Sequence, residues 1–360
     1  MKKILNFVKT NPLSILLVAF PLAILAEMGH WPQIWVFALS AIGVIPMAGY
    51  IGSSTEALAA RTGPKIGGLL NATLGNAAEL IITLVAIRAG LLELVKASIT
   101  GSILGNLLLV MGMAMVGGGI KNGFQSFDRR QSGNHAVLLT LSVLAMVIPS
   151  LFSHSIGPEG SIGVEELSLG VAFVMIVLYV FGLIFSLRVS PDVLSYPAEP
   201  EMKNHPIYSL KKAIIILALS TLGVVVLSEL LIGAVESVVQ SLGLSEFFLG
   251  IILIPIVGNV AEHLVAVQAA IRNHMNLSVE IAISSSLQIA LFVAPLLVFI
   301  SLAMGNPLTL IFNQFELIAM GSGVLVAALV SADGESNWLE GCALLAVYFI
   351  LGFAFFLMPA

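Results

Sequence analysis

Long apolar runs alternate with short polar breaks along this chain, and the pattern predicts eleven helices. The first covers about Leu13 to Ala26, is short and contains Pro21. The others lie near Gln33–Ile51, Lys65–Ala89, Leu91–Gly119, Asn134–Ser153, Glu166–Leu187 and Lys211–Leu231. The last four lie near Ser245–Arg272, Met275–Met304, Gln314–Ser331 and Trp338–Met358. Most reach the roughly 20 residues that cross a bilayer.

Composition turns these helices into membrane spans. The 360 residues are 58% hydrophobic and only 10% charged, against about 25% charged in a soluble domain. A water-facing globule is excluded. The net charge of -5 comes without a long block of either sign, so nucleic acid is not an expected partner; the lipid bilayer is. The single cysteine, Cys342, excludes an intrachain disulfide.

The basic residues orient the spans. With the N-terminus in the cytoplasm, inside segments hold Lys2, Lys3, Lys9, Arg61, Lys65, Lys121, Arg129, Arg130, Arg188, Lys203, Lys211, Lys212 and Arg272. Outside segments hold only Arg88 and Lys96, the asymmetry that the positive-inside rule requires. The C-terminus is then outside. Lys2 and Lys3 before a short apolar run also fit a signal peptide, but no clear A-x-A site follows, so a retained helix is expected.

A repeat divides the chain. Gly75-Asn76-Ala77-Ala78-Glu79 recurs 183 residues later as Gly258-Asn259-Val260-Ala261-Glu262. The same offset aligns Gly67 with Gly250, Leu70 with Leu253 and Ser102 with Ser285. With a small gap, Ile51-Gly52 and Glu56 match Ile232-Gly233 and Glu236. Setting the first helix aside leaves five spans plus five. An odd number forces the second half into the membrane with opposite polarity, the inverted-repeat plan of many transporters. The expected organisation is an N-terminal transmembrane helix (1–30), a first five-helix repeat (31–187), a cytoplasmic linker (188–210) and a second five-helix repeat (211–360). The fold class is an all-α integral membrane protein.

Glu79 and Glu262 fall deep inside apolar spans, where an acid costs roughly 2.5–3.5 kcal/mol. A basic partner, a proton or a bound cation relieves that cost. No span carries Lys or Arg in its middle, which leaves proton or cation; hydrogen bonding to neighbouring amides and hydroxyls is the competing reading. Helical spacing puts Asn76, Glu79 and Thr83 on one face, and Asn259 and Glu262 repeat the arrangement. The following helices carry Ser102 and Asn106, and Ser284, Ser285, Ser286 and Gln288. Gln288 aligns with Gly105, not with Asn106. Helix–helix hydrogen bonding is the alternative role for these residues. All the candidate donors are oxygens, which suits a hard cation such as calcium; no cysteine cluster or histidine pair serves zinc or copper. Pro255 and the glycines Gly67, Gly68 and Gly75 are expected to loosen their helices and free carbonyls for an ion cavity, or simply to kink them. Two bare carboxylates in low dielectric repel, so they hold either protons or a divalent cation. Alternating access with such a site is antiport.

These segments resemble the paired signature repeats of the calcium/cation–proton antiporter family. The resemblance rests on Gly67-Gly68-Leu-Leu-Asn71-Ala-Thr with Gly75-Asn-Ala-Ala-Glu79, on Gly258-Asn-Val-Ala-Glu262-His263, and on Ser285-Ser-Leu-Gln288-Ile-Ala-Leu-Phe. It covers nearly the whole chain. It implies the calcium/cation exchanger fold, calcium efflux driven by proton entry, and Glu79 and Glu262 as central ligands. Asn76, Asn259, Ser102, Asn106, Ser285 and Gln288 would support them. It also implies transported Ca2+ and H+ without a cofactor, and a prokaryotic inner membrane; homo-oligomerisation stays open. Two departures stand out. The strongly acidic segment common between the halves is replaced by Asp192, Glu199 and Glu201 among basic residues. The repeats also lack the proline-containing G-[ST]-S-x-P-E wording of sodium/calcium exchangers.

Other residues are less specific. His263 is a candidate for proton relay or for packing. Glu56, Glu229 and Glu236 could gate cations, or be solvated at span ends. Glu280 suits a helix start, and Glu159, Glu165 and Glu166 an ordinary solvated loop. Sodium-coupled exchange, a channel and an intramembrane metalloenzyme are the competing functions. The last lacks an H-E-x-x-H constellation.

Overall fold

Polar residues at the helix starts decide where the apolar runs begin to coil. Asp128, Ser209, Ser245, Asn313 and Asn337 each cap a helix by accepting hydrogen bonds from its first-turn backbone N–H groups. Asn313 with Glu316 and Asn337 with Glu340 form reciprocal capping boxes.

The computed structural model describes residues 12–188 and 208–358. A 3-10 turn at Pro12–Val18 leads into α1 (Ala19–Met28), then α2 (Gln33–Leu74), α3 (Ala77–Arg88), α4 (Leu92–Asn122), α5 (Arg129–Ile156) and α6 (Ile162–Arg188). The second half holds α7 (Leu210–Gly233), α8 (Val235–Leu242), α9 (Glu246–Ile271), α10 (Met275–Met304), α11 (Gln314–Val330) and α12 (Trp338–Phe356). Two-residue strands β1 (Gln125–Ser126) and β2 (Glu335–Ser336) pair antiparallel. Eight helices among the described residues are long and apolar enough to cross a membrane, and two shorter apolar helices accompany them. Most of the expected linker, and Lys2, Lys3, Lys9 and Lys203, lie outside the described residues.

Two expected boundaries move. The expected break between Ile51 and Lys65 is helical by backbone geometry, and α2 continues to Leu74. A Cβ on Gly67 would lie 2.6 Å from the Ala59 carbonyl, where eight residues of straight helix would separate them by about 12 Å, so α2 bends sharply between Ala59 and Gly67. Hydropathy dips there, but Glu56-Ala-Leu-Ala-Ala-Arg61 is strongly helix-forming. The third expected span is instead two helices, parted at Gly75-Asn76 inside the signature itself. Gly and Asn are poor helix formers, and Asn76 takes φ -93, ψ 24 where α3 begins.

α7 packs along α2, which also carries α1. α9 and α12 pack against α4, α10 and α11 against α5, and α6 against α10. One large apolar cluster, including Leu107, Met111, Leu227 and Leu297, joins these layers. α4 and α9 approach to backbone contact. A Cβ at Gly250 would lie 2.9 Å from the Leu94 carbonyl, and one at Gly101 would overlap the Ile251 carbonyl. Only glycine permits that approach. Wider π turns interrupt α4 at Gly105–Val110, α9 at Leu249–Leu253 and α10 at Ile289–Val293. The first and last fall on matched positions of the repeat.

Polar contacts between loops sort into two ends. At one end Arg88 pairs with Glu229, Lys96 with Glu93 and Glu159, and Asn306 donates to the Ile87 carbonyl. At the other, β1 pairs β2, Gln125 donates to Asn273, and Asn276 accepts from the Asp128 N–H.

Candidate cation-binding site

The break at Gly75-Asn76 starts α3 with Glu79 in its first turn, and it turns that carboxyl toward the other half. Glu79 is only 5% exposed. A Cβ placed on Gly258 would lie 3.2 Å from Glu79 Cγ and 3.7 Å from its Oε1. The acid of the first signature therefore rests on the glycine of the second. Glu262 and Asn259 are its electrostatic neighbours.

The asparagines cross the same seam. Asn259 Nδ2 donates to Ser102 Oγ at 3.4 Å, and Ser285 Oγ lies 3.4 Å from Asn76 Oδ1. Ser102 and Ser285 are repeat partners, so the same residue pair meets twice, with the amide donating in the first contact and the hydroxyl in the second. Further bonds break the symmetry. Ser285 Oγ reaches Glu262 Oε2 at 3.0 Å and accepts from Asn106 Nδ2 at 3.1 Å. Asn76 Nδ2 donates to Gln288 Oε1 at 2.6 Å, while Asn259 Nδ2 also donates to the Pro255 carbonyl at 3.0 Å.

All eight expected site residues thus form one cluster drawn from α3, α4, α9, α10 and the turn before α3. Glu79 Oε1 and Asn259 Oδ1 are buried acceptors with no donor among the described residues. A buried acceptor without a donor costs about 1–3 kcal/mol, more for a charged group. No salt bridge reaches either glutamate among the described residues.

Four expected neighbours make no bond to either carboxyl among the described residues. Thr83 Oγ1 donates to the Glu79 backbone carbonyl at 2.7 Å, so its hydroxyl serves the helix. Ser284 bonds the Glu280 carbonyl, and Ser286 the Ala282 carbonyl. His263 is buried, with Nε2 unpartnered, and no hydrogen bond among the described residues joins it to either carboxyl.

The periphery departs from expectation at Glu159. Glu229 is engaged by Arg88, and Glu236 accepts from Gln240. Glu159 is no free loop acid: it bridges buried Lys96 at 2.9 Å and Thr309 at 3.0 Å. Glu280 accepts from Gln131. Sequence reading missed Glu316, a buried acid of α11 that bonds Thr100 and its own capping asparagine. The Asn-x-x-Glu spacing of a capping box was the available signal.

Comparison with known proteins agrees with this architecture. The sequence matches the family described as sodium/calcium exchanger protein over residues 32–188 and 212–357. A "Ca(2+)/H(+) antiporter" of Aphanothece halophytica is 42% identical over 358 residues, 96% of each chain. The "Ca(2+)/H(+) antiporter ChaA" of Bacillus subtilis is 43% identical over 353 residues, 97% of this chain and 100% of the relative. A solved structure of native YfkE superposes with a TM-score of 0.84 at 41% identity, covering 96% of this chain and 100% of that one. These relatives are membrane transporters, and with both matched stretches this chain is an integral membrane protein belonging to the sodium/calcium exchanger family.

Proposed function

We propose that this chain is a secondary transporter that exchanges Ca2+ for H+ by alternating access, with Glu79 and Glu262 binding calcium or protons in turn. The observation that carries it is the contact of the buried Glu79 carboxyl with Gly258, beside Glu262 and two orphaned acceptor oxygens. The relatives' names support calcium and protons as cargo.

Calcium takes six to eight oxygens. Glu79, Glu262, Asn76, Asn259 and Ser285 offer carboxylate, amide and hydroxyl oxygens within one seam, with Ser102, Asn106 and Gln288 holding them in place. Loading calcium displaces protons from the two acids; proton entry releases calcium. Either cargo removes the repulsion of two bare charges, so the site crosses the membrane loaded.

The finer architecture belongs to the same proposal. Eleven spans arise if the eight long helices are joined by the two short apolar ones and by the broken span ending in α3. The sorting of loop contacts into two ends is what that alternation requires: the end with Arg88 and Lys96 is outside, the end with β1 and β2 cytoplasmic. The residue ranges 1–30, 31–187, 188–210 and 211–360 then separate an N-terminal helix, two inverted repeats and their linker. We place the N-terminus inside and the C-terminus outside a prokaryotic inner membrane.

Calcium uptake into proteoliposomes tests the reading. Uptake should follow an imposed pH gradient and ignore a sodium gradient. Uptake that follows sodium alone would replace the proton with sodium.

A further inference from the structure

The three ion pairs among the described residues all lie at one end of the molecule, where they engage both of its basic residues, Arg88 and Lys96. At the opposite end Lys121, Arg129, Arg130 and Arg272 have no carboxylate within 4 Å among the described residues. The acids at that end are otherwise arranged. Asp128 caps α5 through the Arg130 and Gln131 N–H groups, and Glu280 accepts from Gln131. Asp333 bonds the Glu335 N–H.

Two of these cations head a groove. Arg129, Arg130, Gly133, Asn134 and Val137, all on one helical face, line a shallow open groove at the start of α5. Both arginines are exposed, and a Cβ on Gly133 would meet open space. Below Arg130 the same helical face continues as Val137, Leu141, Leu144 and Ile148, all exposed. Val137 to Ile148 covers about 16 Å of helix, and one leaflet's hydrocarbon is about 15 Å deep. Exposed Trp338 and Phe124 lie at the same end, as aromatic residues do at the headgroup level.

We propose that Arg129 and Arg130 bind the phosphate of an anionic membrane phospholipid whose acyl chain lies along the Val137–Ile148 face of α5. The pairing is complementary at both ends: two guanidiniums without a carboxylate partner among the described residues for the phosphate, and an apolar stripe of one-leaflet depth for the chain. Two basic residues in the first turn of a helix oppose its dipole, and an anion there relieves the opposition. The inference stands on the chain spanning a bilayer and is independent of which ion it carries.

Native mass spectrometry of the whole protein, released from nanodiscs of mixed phosphatidylglycerol and phosphatidylcholine, tests it. Wild type should retain phosphatidylglycerol in preference to phosphatidylcholine. Each arginine beside an anionic lipid is worth about fivefold, so the Arg129→Gln/Arg130→Gln double variant should lose roughly thirtyfold of that retention. Arg129→Lys/Arg130→Lys should keep most of it, and Lys211→Gln, away from the groove, should keep all of it. Glycerol phosphate, which has no acyl chain, should not displace the lipid. Equal retention by the Gln double variant, no preference in wild type, or displacement by glycerol phosphate overturns the proposal.

Discussion

The two signature segments carry nearly the same letters and adopt different structures. In the first half the helix stops at Leu74, turns through Gly75-Asn76 and restarts as α3. In the second half Gly258-Asn259 sits within continuous helix, and the irregularity comes earlier, as the π turn Leu249–Leu253 before Pro255. Gly250 in that turn packs on the α4 backbone, whereas its repeat partner Gly67 lies against Ala59 of its own helix. Glu79 is buried and Glu262 only partly so. Two copies of one motif thus occupy two conformations, which is what a carrier needs if its halves exchange roles across the membrane. The serine–asparagine contacts are the part that both copies keep, at 3.4 Å each.

The largest expected effect concerns the acids. If the halves share one site, Glu79→Gln and Glu262→Gln should each reduce pH-driven calcium uptake in proteoliposomes to background, despite their unequal burial. Substantial uptake by one variant would assign binding to a single half. The serines should separate next. Ser285 bonds a carboxylate and two amides, while Ser102 meets one amide. A hydrogen bond to a charged group is worth about 1.5–3 kcal/mol and a neutral one about 0.5–1.5. Ser285→Ala should therefore weaken half-saturation for calcium about tenfold or more, and Ser102→Ala only a few-fold; equal losses would mean that the shared contact dominates.

A smaller effect is expected away from the seam. Lys96 is buried, but its partners Glu93 and Glu159 have side chains 61% and 52% exposed. Breaking a fully buried pair costs about 3–5 kcal/mol, and solvent reduces it here, so Lys96→Met should cost about 1–2. A modest drop in thermal midpoint in detergent, with calcium uptake retained, is the expected reading. Thr83→Val should do least, changing transport less than about twofold, because its hydroxyl bonds the backbone of its own helix. A large loss would put Thr83 back in the site.

Much of the site was legible because repetition is visible in letters. The 183-residue offset paired Glu79 with Glu262, Asn76 with Asn259 and Ser102 with Ser285, and the structure brings all six together. What stayed hidden depends on backbone geometry or on distant partners. Hydropathy cannot distinguish a helix that continues through polar Glu56–Arg61 from one that stops, nor show a break inside an apolar run at Gly75-Asn76. Helical spacing put Thr83 beside Glu79 but could not say that its hydroxyl turns inward. Among Ser284, Ser285 and Ser286, only the packed helices select Ser285. The sequence shows Lys96 only as a basic residue of the outside end; its partner Glu159, 63 residues away, is visible only in the structure.

The most direct test of a shared site is calorimetric calcium binding to the purified protein, repeated in buffers of different ionisation enthalpy. The account predicts one calcium per chain with protons released on binding, and no binding to either Glu79→Gln or Glu262→Gln. Two calcium ions per chain, or one surviving in a single-glutamate variant without proton release, would contradict it.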